Sequence, residues 1–76
     1  MTLTTERIHH DVAAALGEDP AEIPVDESLV DYGLDSVRIM TLLERWRREH
    51  GVQADFADLA EAPAVEAWAR LLGAAS

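Results

Sequence analysis

Asp31-Tyr32-Gly33-Leu34-Asp35-Ser36-Val37-Arg38-Ile39-Met40 is the stretch in which a loop becomes a helix. Gly33 gives the backbone freedom to turn. Asp35 and Ser36 are both residue types that cap a helix start. From Ser36 the apolar residues recur at helical spacing: with about 100° per residue, Ile39, Leu42, Leu43 and Trp46 gather on one side. That pattern predicts a helix from Ser36 to about His50, closed by Gly51. Arg38, Thr41, Arg45, Arg48 and Glu49 fall opposite, toward water. Ser36, Met40, Glu44 and Arg47 form a stripe between the two, with Val37 beside it. Ser36 is therefore expected at the edge of the buried face, with Val37 and Met40 as semi-exposed apolar neighbours, the pattern of a contact patch.

Upstream, Ile8, Val12, Ala15 and Leu16 make an apolar stripe over about Thr5 to Leu16. Thr4 or Thr5 caps this helix and Gly17 ends it. A long connection, 17–35, separates the two helices. Pro20 and Pro24 break any helix there, and Ile23, Val25, Leu29, Tyr32 and Leu34 are the residues expected to pin it. Asp26 to Leu29 is the expected place for a short turn of helix. Downstream, a short helix is expected from Asp55 to Ala60, with Asp55 as cap and Phe56 and Leu59 inward. A last helix follows Pro63, over about Ala64 to Leu72, with Val65, Trp68, Leu71 and Leu72 as its apolar face. Ala74 to Ser76 are expected to fray. The fold class is all-α: a small four-helix bundle of three longer helices and one short one, with the long loop between the first two.

The chain has 76 residues, enough for one domain. Hydrophobic types make up 49% of it, which supports a folded core rather than disorder. There is no cysteine, so disulfides, zinc–thiolate sites and cysteine nucleophiles are all excluded. The net charge is −9 and lysine is absent, which argues against nucleic acid and against anionic membrane surfaces. No apolar run reaches membrane-spanning length, and the N-terminus lacks a signal-peptide pattern. A cytoplasmic monomer is the expectation. Glu18, Asp19, Glu22, Asp26, Glu27, Asp31 and Asp35 lie in the long connection without one basic residue, while Arg38, Arg45, Arg47 and Arg48 fall on the helix that follows. The acidic stretch reads either as a solvated loop or as a docking surface for basic partners.

Rival site chemistries are poorly served. A hydrolase nucleophile elbow needs glycines two residues to each side of its serine, and Leu34 and Arg38 stand there. His9 and His10 point about 100° apart on a helix and do not form the i, i+4 pair that chelates a metal. Trp46 and Trp68 read as core, and Tyr32 as a loop anchor.

The run Asp31-Tyr32-Gly33-Leu34-Asp35-Ser36-Val37-Arg38, extended by Leu42-Leu43-Glu44-Arg45-Trp46-Arg47, resembles the attachment motif of the acyl, peptidyl and aryl carrier proteins. It looks most like the aryl carrier domains of siderophore and non-ribosomal peptide synthesis. Peptidyl carriers more often have two glycines where this chain has Gly33-Leu34. Fatty-acid carriers have an acidic second helix, from which the four arginines depart. The resemblance implies no catalytic residue. It implies a covalent 4'-phosphopantetheine arm, derived from coenzyme A, on Ser36, with Asp35 positioning the serine for the phosphopantetheinyl transferase. It implies that the arm's thiol holds an aryl acid such as 2,3-dihydroxybenzoate or salicylate as a thioester. Leu34, Val37, Arg38, Met40, Glu44 and Arg47 would meet the transferase, the adenylating ligase for an aryl or amino acid, and the condensation domain. Peptidyl or polyketide acyl carriage stays open, and so does an unmodified acidic helical adaptor.

Overall fold

The computed structural model of the protein describes residues 3–74. Four α-helices carry the fold: α1 (Thr5–Leu16), α2 (Ser36–His50), α3 (Phe56–Glu61) and α4 (Val65–Leu71). No strand is found among the described residues. The bundle is all-α, as the spacing of apolar residues predicts. α4, with 7 residues, is scarcely longer than α3, with 6.

Local chemistry explains where each helix starts and stops. The Thr4 side chain accepts the Arg7 N–H, and Gly17, at φ 71°, returns its N–H to the carbonyls of Ala13 and Ala14. α3 begins with a capping box: Asp55 accepts a backbone N–H from the first turn while the Asp58 side chain accepts the Asp55 N–H. The long connection holds two 3₁₀ turns, Pro20–Glu22 and Leu29–Tyr32. The first forms because Pro20 has its φ preset and Asp19 accepts the Ala21 N–H. The second starts at Leu29, where the sequence suggested a turn ending. Leu29 is drawn into the core and its N–H donates to the Pro63 carbonyl at 2.7 Å, and the turn stands three residues later than expected.

Ile23, Leu29 and Leu34 are buried and pin the connection as expected, whereas Val25 stays exposed and Tyr32 is partly buried. Backbone bonds add further ties. Glu66 N–H donates to the Val25 carbonyl at 2.9 Å, and the His9 ring Nε2 lies 2.7 Å from the Ile23 carbonyl. His9 is thus a loop fastener.

α1 packs against α2, α4 and the first 3₁₀ turn. Its buried set is accordingly wider than one stripe and takes in Asp11 and Ala13 with Ile8 and Val12. On α2 the buried residues are Ile39, Leu42, Leu43 and Trp46, as the periodicity predicts. On α4 the inward set is Val65, Trp68 and Ala69. Leu71, expected inward, is exposed, because the helical step carries it off the Val65–Trp68–Leu72 side. Ala74 is partly buried and bonded to Ala69, contrary to the expected fraying, while 75 and 76 lie outside the described residues.

Trp46 and Trp68 fill the centre. Both are fully buried, and their rings meet edge to face with centroids 5.9 Å apart. The Trp68 indole N–H donates to the Leu59 carbonyl at 2.9 Å. The Trp46 indole N–H donates to Asp11 Oδ2 at 3.0 Å. Asp11 is 2% exposed, the one buried charged residue among the described residues. Arg7 and Arg45 stand 3.5 and 3.7 Å from its other oxygen, with the His10 ring at 3.6 Å. The indole bond is the short directional one, and the guanidinium groups supply the compensating charge that a buried carboxylate needs.

Asp11→Ala leaves the Trp46 N–H buried without an acceptor, so a loss of about 1–3 kcal/mol is expected. Urea unfolding followed by tryptophan fluorescence measures it, and an unchanged midpoint would refute the role given to Asp11.

Candidate functional site

The loop-to-helix junction is built from three contacts. Gly33 ends the second 3₁₀ turn at φ 100°, a conformation that favours glycine, and its N–H donates back to the Leu29 and Val30 carbonyls. Leu34 then dives into the core at 5% exposure, its N–H bonded to the Leu29 carbonyl. Asp35 is extended and caps α2: its Oδ1 accepts the Arg38 N–H at 2.9 Å. Ser36 is the first helical residue and is exposed.

The Ser36 hydroxyl has no hydrogen-bond partner among the described residues, and neither do the N–H groups of Ser36 and Val37. These are orphan donors of a helix start, at the positive end of the α2 dipole. The opposite end is complemented by Arg47, Arg48 and His50 in the last turn. A phosphate ester on Ser36 Oγ would meet free donors and a favourable dipole, so the residues present fit an attached phosphopantetheine arm. No cluster of three His, Asp or Glu side chains able to hold a metal occurs among the described residues. His9 and His10 are engaged with the Ile23 carbonyl and with Asp11, away from the serine.

Two exposed apolar side chains follow Ser36 on α2. Val37 is 73% exposed and Met40 37%. Val30, on the turn that precedes Gly33, is 58% exposed as well, although its position in a loop without periodicity gave the sequence reading no reason to select it. Glu44 is exposed about two turns further along α2.

Three expected partner contacts stand differently. Leu34 is core, because the turn can only be held if one of its side chains is buried; of the two roles expected of it, pinning is the one its burial matches. The Arg38 guanidinium turns inward: Nη1 donates to Asp35 Oδ2 at 2.7 Å and Nε to the Ala15 carbonyl at 3.1 Å. The Arg47 guanidinium donates to the Ala54 carbonyl at 2.7 Å and stands 3.5 Å from Asp55, fastening α2 to the segment before α3. Both arginines satisfy carbonyls and carboxylates of their own chain.

Tyr32 donates to Glu27 Oε2 at 3.3 Å. Partial desolvation, then the charges of Glu27, Asp31 and Asp26 and the Glu27 bond, push its phenol above its ordinary value of 10.0.

Ser36 is thus an exposed, unengaged serine at the start of the second helix of a small bundle, backed by an N-capping aspartate and followed by exposed apolar residues. The family model for the phosphopantetheine attachment site matches residues 6–72. The chain belongs to that family, whose domain is a carrier with a covalently attached 4'-phosphopantetheine. It is similar to the isochorismatase of Bacillus subtilis, at 52% identity over 69 residues, covering 91% of this chain and 22% of the relative. It is similar to the phenyloxazoline synthase MbtB of Mycolicibacterium paratuberculosis, at 50% identity over 70 residues, covering 92% of this chain and 6% of the relative. The enterobactin synthase component B of Escherichia coli K12 matches at 55% identity over 47 residues, covering 62% of this chain and 16% of the relative. The chain thus spans under a quarter of the length of these relatives. No solved structure matches it.

Tyr32 is the single tyrosine. An ultraviolet pH titration of the folded protein is expected to place phenolate formation above pH 10.0. A midpoint at or below that value would contradict the carboxylate environment described.

Proposed function

We propose that Ser36 carries the 4'-phosphopantetheine arm and that the protein presents an aryl acid, such as 2,3-dihydroxybenzoate or salicylate, to enzymes of siderophore or non-ribosomal peptide assembly. The observation that carries this reading is the Ser36 hydroxyl itself, exposed and without a partner at the N-terminus of α2. In loading, Ser36 Oγ forms a new ester bond to the pantetheine-bearing phosphorus of coenzyme A. The bond from that phosphorus to the adenosine 3',5'-bisphosphate leaving group breaks, and the serine proton passes to a base of the transferase. The arm then supplies a terminal thiol on which an acyl group rides as a thioester.

This chain's own part is to hold and to offer. Asp35 caps α2 and keeps Ser36 at its first turn. The N–H groups of Ser36 and Val37 offer hydrogen bonds to phosphate oxygens. Val37, Met40 and Val30 give a small apolar contact on which the transferase, an adenylating ligase and a condensation domain can dock in turn, with Glu44 at its edge. Docking of this kind buries little surface and releases quickly, which suits a tether that visits several enzymes. The aryl cargo is supported by the short motif around Ser36 and by relatives named for isochorismatase, phenyloxazoline and enterobactin synthesis.

Intact-mass measurement after incubation with coenzyme A, magnesium and a broad-specificity phosphopantetheinyl transferase tests the attachment. The parent is expected to gain one phosphopantetheine and Ser36→Ala none. A folded parent that gains nothing would leave the unmodified adaptor as the better reading. Met40→Asp is expected to leave folding intact, since Met40 lies outside the core, and to slow loading or acyl transfer by about tenfold or more through the charge placed in the contact. Unchanged rates in both steps would remove the proposed patch.

A further inference from the structure

Arg38 occupies the position best suited to reach a visiting enzyme, two residues after Ser36 and 45% exposed in its side chain, yet its head group is committed to its own chain. Three of its donors act together. The backbone N–H takes Asp35 Oδ1, Nη1 takes Asp35 Oδ2, and Nε takes the Ala15 carbonyl. Ala15 lies in the last turn of α1, where carbonyls lack helical partners and the dipole is negative. One guanidinium therefore ties the C-terminal end of α1, 23 positions away in sequence, to the capping residue of α2.

The charge arrangement gives this tie a consequence for chemistry at Ser36. The Asp35 carboxylate is adjacent to the residue that must accept a phosphate, and two anions in that space repel. The Arg38 guanidinium at 2.7 Å offsets the Asp35 charge and holds its carboxylate in the capping orientation. Without it, Asp35 keeps the cap through Oδ1, but the charge on Oδ2 is left without its partner one residue from Ser36.

We propose that Arg38 is a positioning residue for phosphate transfer to Ser36: by holding Asp35 and the Ala15 carbonyl at once, it orders the attachment turn and offsets the carboxylate charge beside the incoming phosphate. This inference rests on the attachment reading of Ser36. It differs from a role in partner choice, in which the guanidinium would itself touch the enzyme.

A double-mutant cycle in the loading reaction separates the two. The unmodified protein is loaded by a broad-specificity transferase with coenzyme A, and KM for the carrier and kcat are measured for the parent, Arg38→Met, Asp35→Asn and the double variant. Methionine keeps the length of the stem and removes the charge; asparagine keeps the cap and removes the carboxylate charge. Arg38→Met is expected to lower kcat about tenfold with KM for the carrier within about twofold, and to cost about threefold or less in the Asp35→Asn background, where only the Ala15 tie is left to lose. Arg38→Lys, which can still reach Asp35, is expected to recover most of the loss. Equal losses from Arg38→Met in both backgrounds would overturn the proposal in favour of direct contact with the transferase, and no loss in the parent background would overturn it outright.

A second readout needs no enzyme. Backbone ¹⁵N relaxation of positions 33–37 in the unmodified Arg38→Met variant is expected to show added motion confined to this turn, and unchanged relaxation would overturn the ordering role. A parent that takes no arm at all would instead overturn the attachment reading, and this inference with it; a parent that loads while Arg38→Met matches it overturns this inference alone.

Discussion

The bond from the Trp46 indole to Asp11 is the contact on which the bundle depends. A chain of 76 residues can enclose little apolar surface, so it has few ways to choose one helix arrangement over its neighbours. A buried carboxylate removes that ambiguity. It must meet a donor, and the indole N–H of Trp46 is the donor that α2 delivers to α1. Sliding either helix by one turn would strand both groups in the core, at a cost comparable with a sizeable part of a small domain's stability. Trp46 in turn sets Trp68 edge to face, and Trp68 holds the Leu59 carbonyl. One polar contact thus propagates through two indoles to α4 and α3.

The same two helices are joined a second time, at the surface, where Arg38 reaches the Ala15 carbonyl. The inner contact fixes how α2 lies against α1, and the outer one fixes where α2 begins. Leu34 anchors the turn from below and Gly33 supplies its left-handed bend. Between these fixed points Ser36 is left with a free hydroxyl and free backbone donors. The proposed attachment would use this combination: a residue whose backbone is tied to the body on both sides, and whose hydroxyl engages nothing, so that chemistry can reach it.

Much of this is legible in the amino-acid sequence where local rules govern. The span and buried face of α2 follow from the spacing of Ile39, Leu42, Leu43 and Trp46 between Asp35 and Gly51, and the pins Ile23, Leu29 and Leu34 follow from apolar residues in a loop too long to hang free. The exposure of Ser36, Val37 and Met40 follows from the helical step. The remainder depends on partners distant in sequence. Asp11 looks like a surface aspartate until Trp46, 35 positions away, is brought to it; the i, i+4 spacing of Arg7 and Asp11 on the edge of the apolar stripe was the faint local sign. Arg38 and Arg47 fall on outward or boundary positions of α2, and periodicity alone says nothing of a guanidinium curling back to Ala15 or Ala54. The inward choice of Ala69 over Leu71 comes from the helical step on α4, where hydrophobicity alone favours leucine.

Charge follows from the same internal bookkeeping. Arg7, Arg38, Arg45, Arg47 and Arg70 each stand within ion-pair distance of a carboxylate of this chain, which leaves Arg48 as the arginine without one among the described residues. The basic character that the composition of α2 suggests is therefore largely neutralised in place. The net charge of −9 resides on exposed acids, with Glu18, Asp19, Glu22, Asp26, Glu27 and Asp31 all in the connection that leads to Ser36. An approaching enzyme meets a negative field that ends at a small apolar patch around the serine. Under the proposed carrier reading, long-range attraction would favour partners with a basic rim, while the short-range contact would fall to Val37 and Met40. In that reading, steering by the loop and recognition by the helix are physically separate, so several partners could share the first and differ in the second.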